Sequence, residues 1–106
     1  MAWLYLLVAG LFEVAWAIGL KTTAGFTRFW PSVLTVAAII ASMGLLAQAL
    51  RAIPVGTGYA IWTGIGAAGT AVLGMALYAE PATPGRIASL ALIVAGIVGL
   101  KLTSDG

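Results

Sequence analysis

Four long apolar runs set the terms for what this chain can fold into. They extend from about Ala2 to Leu20, Ser32 to Leu50, Thr57 to Tyr78 and Ile87 to Thr103. Crossing a hydrocarbon core of about 30 Å takes roughly 20 helical residues, with about 17 as a lower limit. Lipid offers no partner to a peptide N–H or C=O, so runs of this kind cross as helices. The first three runs qualify readily, and the fourth, the shortest, crosses with little tilt. Composition agrees: 62% of the 106 residues are hydrophobic and 8% charged, where a soluble domain carries about 25% charged residues. The expected fold is all-α, a single four-helix transmembrane domain over residues 1–106. The connections carry turn signals: Gly25, then Pro54 and Gly56, then Pro81, Pro84 and Gly85. Trp3, Tyr5, Trp30 and Tyr78 fall near the ends of the runs, where amphipathic rings favour the headgroup layer.

Two local patterns invite other readings. Ala15-Trp16-Ala17 has the form of a signal-peptide cleavage site, but no basic residue precedes the apolar run and Glu13 interrupts it. Gly64 to Gly69 matches G-x-G-x-x-G, the dinucleotide fingerprint, which needs a preceding strand and an acidic residue about 20 positions on. Here the glycines lie inside an apolar helix and Ser89 occupies that neighbourhood. They are better read as sites of close helix approach and local bending.

Glu13 is the one charged residue in the first run. An ionisable side chain at the bilayer centre costs roughly 2.5–3.5 kcal/mol even on the lenient insertion scale, and such residues mark functional sites by default. The chain has no cysteine and no histidine. Disulfides, thiolate chemistry and thiolate metal sites are excluded, no metal or cofactor is expected, and proton work near neutral pH falls to a carboxylate. The net charge of +2 rests on five basic and three acidic side chains, which is no nucleic-acid footprint.

The run around Glu13 leaves it room. Gly10, Glu13 and Ala17 share a helix face, with Trp16 beside it. In the third run Tyr59 and Trp62 are three apart, and the second contributes Ser42 near its middle. Indole N–H, phenol O–H and hydroxyl all donate to a carboxylate, so these four side chains are candidates for a shell around Glu13. Packing aromatics and a serine bonded to its own i−4 carbonyl are the plainer alternatives. Lys101 reads as an anchor reaching for the interface, and Glu80, among prolines, as solvated.

Lys and Arg normally mark the cytoplasmic side. With four spans, Arg51 and Lys101 fall on one side and Lys21, Arg28 and Arg86 on the other, which decides almost nothing. Either the chain has one poorly marked orientation, or it inserts both ways and pairs antiparallel, supplying between two chains the inverted symmetry that many transporters carry within one. Small residues in the fourth run, Ala88, Ala91, Ala95 and Gly99 with Ser89 and Gly96 beside them, offer a packing face, either for a second chain or within this one.

The segments "FEVAWAIGLK", "PVGTGYAIWTGIGA" and "RIASLALIVAGIVGLKLT" resemble the small multidrug resistance transporters, and more narrowly their guanidinium-exporter subtype. The resemblance covers essentially the whole chain. It implies a multi-pass protein of the cell (inner or plasma) membrane, working as an antiparallel, dual-topology homodimer that exchanges protons for guanidinium or small guanidinyl cations. It implies that Glu13 binds proton and substrate alike, with Trp16, Ser42, Tyr59 and Trp62 as its hydrogen-bonding shell. It further implies a helix kink at Gly64 and Gly66, and dimer packing through Ser89 and Gly96. Gly58 departs from the usual alanine, and Ala79-Glu80-Pro81 replaces a glycine-containing loop; neither touches the expected ligands. The other functions left open are a broad quaternary ammonium exporter of the same family, a dual-topology ion channel, and a structural subunit of a larger complex.

Overall fold

The computed structural model describes residues 1–103; the last three residues of the expected domain, 104–106, lie outside the described residues. Four helices follow one another: α1 (Ala2–Thr22), α2 (Phe29–Ala49), α3 (Val55–Leu77) and α4 (Pro84–Thr103). Each is long and apolar enough to cross a membrane. Leucines, valines and isoleucines are exposed on all four, the surface expected where the solvent is lipid.

Two helices begin three residues earlier than the apolar runs suggest, and both times the cause is a proline in the first turn. The first four N–H groups of a helix have no internal partner, so a proline there removes nothing. Pro31 sits in the first turn of α2, and Pro84 is the first residue of α4. Thr83 caps α4: its Oγ1 accepts the N–H of Arg86 at 3.2 Å. The turn signals at Pro84 and Gly85 therefore mark a helix start, and Arg86 belongs to its first turn.

The α1–α2 connection is tied to buried Thr23. Its hydroxyl donates to the Leu20 carbonyl at 2.8 Å and accepts the N–H of Phe26 at 3.1 Å. Around it Ala24, Gly25 and Phe26 all take positive φ (51°, 73° and 66°), a region that non-glycine residues enter only when the surroundings hold them there.

Helix α1 is the hub. It packs along both α2 and α3, whereas α4 approaches only α3 at the backbone level. Leu6, Ala9, Leu46, Ala49, Ile53, Ile61 and Trp62 form the core between the first three helices. Glycines set the α1–α3 spacing, because a Cβ at Gly10 would land on Ile65 and one at Gly69 on Val14. These pairings climb together, so α1 and α3 run parallel. On α4 no residue is buried. The molecule measures 43 × 35 × 17 Å, and with helices spaced 8–10 Å apart its shortest dimension is about two helices thick.

Candidate functional site

Glu13 projects from mid-α1 onto α3. Gly66 is what admits it: a Cβ at that position would fall on the Glu13 carboxyl group. α3 is continuous helix through Gly64 and Gly66. Gly64 serves a second approach, that of Ile93 and Ile97 from α4. The Glu13 carboxyl forms part of the wall of a cavity of about 420 Å³ that runs between α1 and α3 and extends to the α3–α4 connection at its far end.

Below Glu13, toward the start of α1, the polar groups are satisfied. Ser42 is fully buried; its hydroxyl donates to the Ala9 carbonyl at 2.7 Å and accepts from Trp62 Nε1 at 2.9 Å. One oxygen thus joins α1, α2 and α3, one helical turn from Glu13. The hydrogen bonds of Ser42 go to Ala9 and Trp62, neither to Glu13 nor to its own helix. Trp62 is buried in the core, and the ring of Tyr59, itself 58% exposed, tilts against it at 5.5 Å.

Three other polar groups at and around Glu13 are buried without partners. They are Glu13 Oε1, Trp16 Nε1 and Thr70 Oγ1. A buried polar atom left unpaired costs about 1–3 kcal/mol, and native structures hold few of them. Glu13 and Thr70 line the cavity, which makes it the candidate site, while Trp16 packs against the core.

Sequence reasoning passed over Thr70, which stands four residues beyond Gly66 and four before Gly74 on one face of α3. A hydroxyl at glycine-to-glycine spacing was the available signal. It also read Glu80 as solvated. Glu80 is indeed exposed, and it also accepts a hydrogen bond from Arg86 Nη2 at 2.6 Å and lines the far end of the Glu13 cavity. Lys21 completes that end, its Nζ 5.1 Å from the Tyr78 ring centre. Lys101 is likewise held over a ring, 4.4 Å from the centre of Trp3. Ser89 and Gly96 both lie on the open face of α4, where Ser89 bonds the Gly85 carbonyl and Gly96 has no neighbour within 4 Å. Among the described residues no group of three or more His, Cys, Asp or Glu is placed to hold a metal ion.

Four apolar spans define a multi-pass membrane protein, and the carboxylate left unpaired among them is its candidate site. Residues 1–93 match the family model of the Small Multidrug Resistance protein, and the chain belongs to that family. It is 61% identical over 104 residues to the guanidinium exporter of Escherichia coli (strain K12), and 60% identical to those of Citrobacter freundii and Salmonella typhimurium. Each alignment covers 98% of this chain and 99% of the relative.

Proposed function

We propose that this chain exports guanidinium or small guanidinyl cations in exchange for protons, and that both ligands bind Glu13. The observation that carries the reading is the Glu13 carboxyl, seated on Gly66 with Oε1 buried and unpaired at a cavity wall. Relatives named guanidinium exporters, matched end to end, support the substrate. Guanidinium is planar and carries only N–H donors, so it pairs bidentately with a carboxylate.

Coupling follows from charge. A bare carboxylate at depth is disfavoured by a few kcal/mol. A proton neutralises it, and so does a guanidinium ion. The site therefore changes sides most readily with one or the other aboard, and exchanging them across the membrane is antiport. Trp16 and Tyr59 serve as donors in this scheme, while Ser42 and Trp62 fix the helix turn that carries Glu13. Gly64 and Gly66 give α3 its local freedom.

A second copy of the chain, inserted the opposite way in the cell membrane, completes the site. A slab 17 Å thick encloses no cation on its own, and α4 leaves its Ser89 and Gly96 face uncovered. The balance of basic residues, Arg51 and Lys101 against Lys21, Arg28 and Arg86, supports insertion in both orientations.

The test is reconstitution in liposomes with guanidinium and an imposed proton gradient. Wild-type protein drives guanidinium uphill against the proton flow, and Glu13→Gln does not. Guanidinium binding, followed by tryptophan fluorescence, weakens as pH falls, because each proton taken up removes the anion the cation needs. Where protonation dominates, the loss reaches about tenfold per pH unit. Affinity that stays flat between about pH 5 and pH 8, the range that ordinary proton switches cover, overturns the shared site. Flux that runs only downhill whatever the proton gradient favours a channel, and uphill flux without a proton gradient points to another energy source.

A further inference from the structure

The cavity has two carboxylates, and α3 holds them in the same way. Glu13 rests on Gly66 at the inner end, and Glu80 rests on Gly74 at the outer end. A Cβ at either glycine would land on the carboxyl group above it. The two glycines are eight residues apart, a rise of about 12 Å along a helix. Thr70 lies midway on the same face, its buried hydroxyl without a partner.

The loop is shaped to bring Glu80 there. Ala79 takes φ 54°, the left-handed conformation that glycine usually supplies just past a helix end. That turn folds the chain back, and the Glu80 N–H reaches the Gly74 carbonyl at 3.4 Å. Thr83 and Pro84 then start α4 at once, which sets Arg86 in its first turn and its guanidinium on the Glu80 carboxylate at 2.6 Å. A cation in the first turn opposes the helix dipole, so Arg86 is held there by Glu80.

We propose that Glu80 is a second guanidinium-binding residue, a way-station at the mouth of the Glu13 cavity, and that Arg86 fills it when no substrate is present. The inference rests on the guanidinium-transport reading above. Its basis is chemical identity: the group bound to Glu80 is itself a guanidinium. Whatever geometry the carboxylate offers Arg86, it offers the free ion. Thr70, an acceptor between the two carboxylates, takes an N–H of the ion in transit. Because Arg86 is tethered six residues from Glu80, it competes at an effective concentration on the order of millimolar. Glu80 therefore loads weakly and releases quickly, which suits an entrance and not a storage site. Lys21 is drawn aside over Tyr78, and among the described residues Arg86 is the cation seated on the carboxylate. In the antiparallel pair the same latch guards both mouths.

Guanidinium transport by the reconstituted protein, measured against concentration for Glu80→Gln, Arg86→Gln and the double variant, tests this. A half-exposed ion pair is worth 0.2–1 kcal/mol, so each single variant shifts KM by about 1.4- to 5-fold. The shifts run in opposite directions: Glu80→Gln raises KM and Arg86→Gln lowers it. A gain of affinity is not something a misfolded variant can imitate. In the double variant KM returns to that of Glu80→Gln alone. An unchanged KM in Glu80→Gln overturns the way-station and leaves Glu13 transport standing. So does an Arg86→Gln effect that survives in the double variant, since simple repulsion by Arg86 would then account for it. Wild-type vesicles that carry no guanidinium overturn both readings.

Discussion

Replacing Ser42 by alanine removes one oxygen and almost no volume, so its consequence can be worked from two hydrogen bonds. The first runs from the hydroxyl to the Ala9 carbonyl at 2.7 Å. In an α-helix that carbonyl also accepts the N–H of residue 13, so it stays satisfied, and the loss is a net hydrogen bond of about 0.5–1.5 kcal/mol. Between membrane helices the average is nearer 0.6 kcal/mol. The second bond runs from Trp62 Nε1 to the same hydroxyl at 2.9 Å. Trp62 is 4% exposed, so its N–H is left buried and unpaired, at about 1–3 kcal/mol. Together Ser42→Ala destabilises the chain by about 1.6–3.6 kcal/mol, measured by reversible unfolding in mixed detergent at 25 °C. The decisive arm adds Trp62→Phe. With the indole N–H gone, nothing is orphaned, so Ser42→Ala costs about 1 kcal/mol less in that background than in the wild type. Strict additivity, or a loss below about 0.5 kcal/mol for Ser42→Ala alone, refutes the assignment. Guanidinium affinity also falls, but by less than about tenfold, because the hydroxyl acts on Glu13 only through the Ala9 turn.

Gly66→Ala places a methyl where the Glu13 carboxyl sits; overpacking of this kind costs about 1–3 kcal/mol, and guanidinium affinity falls about tenfold in a titration while helix content is kept. Trp16→Phe retains the ring and deletes a buried N–H donor that has no partner within the chain; if that donor serves the bound state, affinity drops about ten- to hundredfold, and wild-type affinity would make it a packing residue. Ala79→Gly relieves a left-handed backbone at φ 54° and stabilises the fold by about 1 kcal/mol in the same unfolding assay. A Cβ at Gly96 would meet nothing within 4 Å in its own chain, so Gly96→Ala leaves the monomer's fold unchanged, while on the proposed pairing cross-linked dimer falls as close helix approach is blocked.

The spans were legible because lipid leaves an apolar run of this length one way to satisfy its backbone. Their starts were less so: Pro31 and Pro84 look like breaks in a sequence, and only first-turn geometry makes them helical. Glu13 stood out as the one charge in an apolar run. Thr70, Glu80 and Arg86 did not. Thr70 becomes notable only once α1 and α3 run parallel with glycines between them. Glu80 reaches the cavity through a left-handed alanine, a conformation that the residue type argues against. Ser42 and Trp62 were picked out as polar groups at depth, but which partner each would take depends on helix rotation, and that is fixed by the Leu6, Ile61 and Leu46 core.

The site divides at Glu13 into a satisfied half and an unsatisfied one, and the division says what a ligand must bring. On the Ser42 side the serine hydroxyl and the Trp62 indole have met acceptors, so these two hold the helices together and ask for nothing. One acceptor, Glu13 Oε1, and one hydroxyl, Thr70 Oγ1, are buried without partners at the cavity, and one donor, Trp16 Nε1, is buried without a partner against the core. A ligand made only of donors satisfies the carboxylate and the hydroxyl, both of which accept. It leaves the indole, whose N–H needs an acceptor, and the nearest unpaired acceptor in sequence is Glu13, three residues away on α1. A carboxylate has lone pairs for both, so cation and indole can share it. An anion would leave Glu13 repelled, and a quaternary ammonium ion, with no N–H, would leave both acceptors without hydrogen bonds. On the proposed function a bound cation repays these unpaired groups, and of the simple cations the planar N–H donor repays the most.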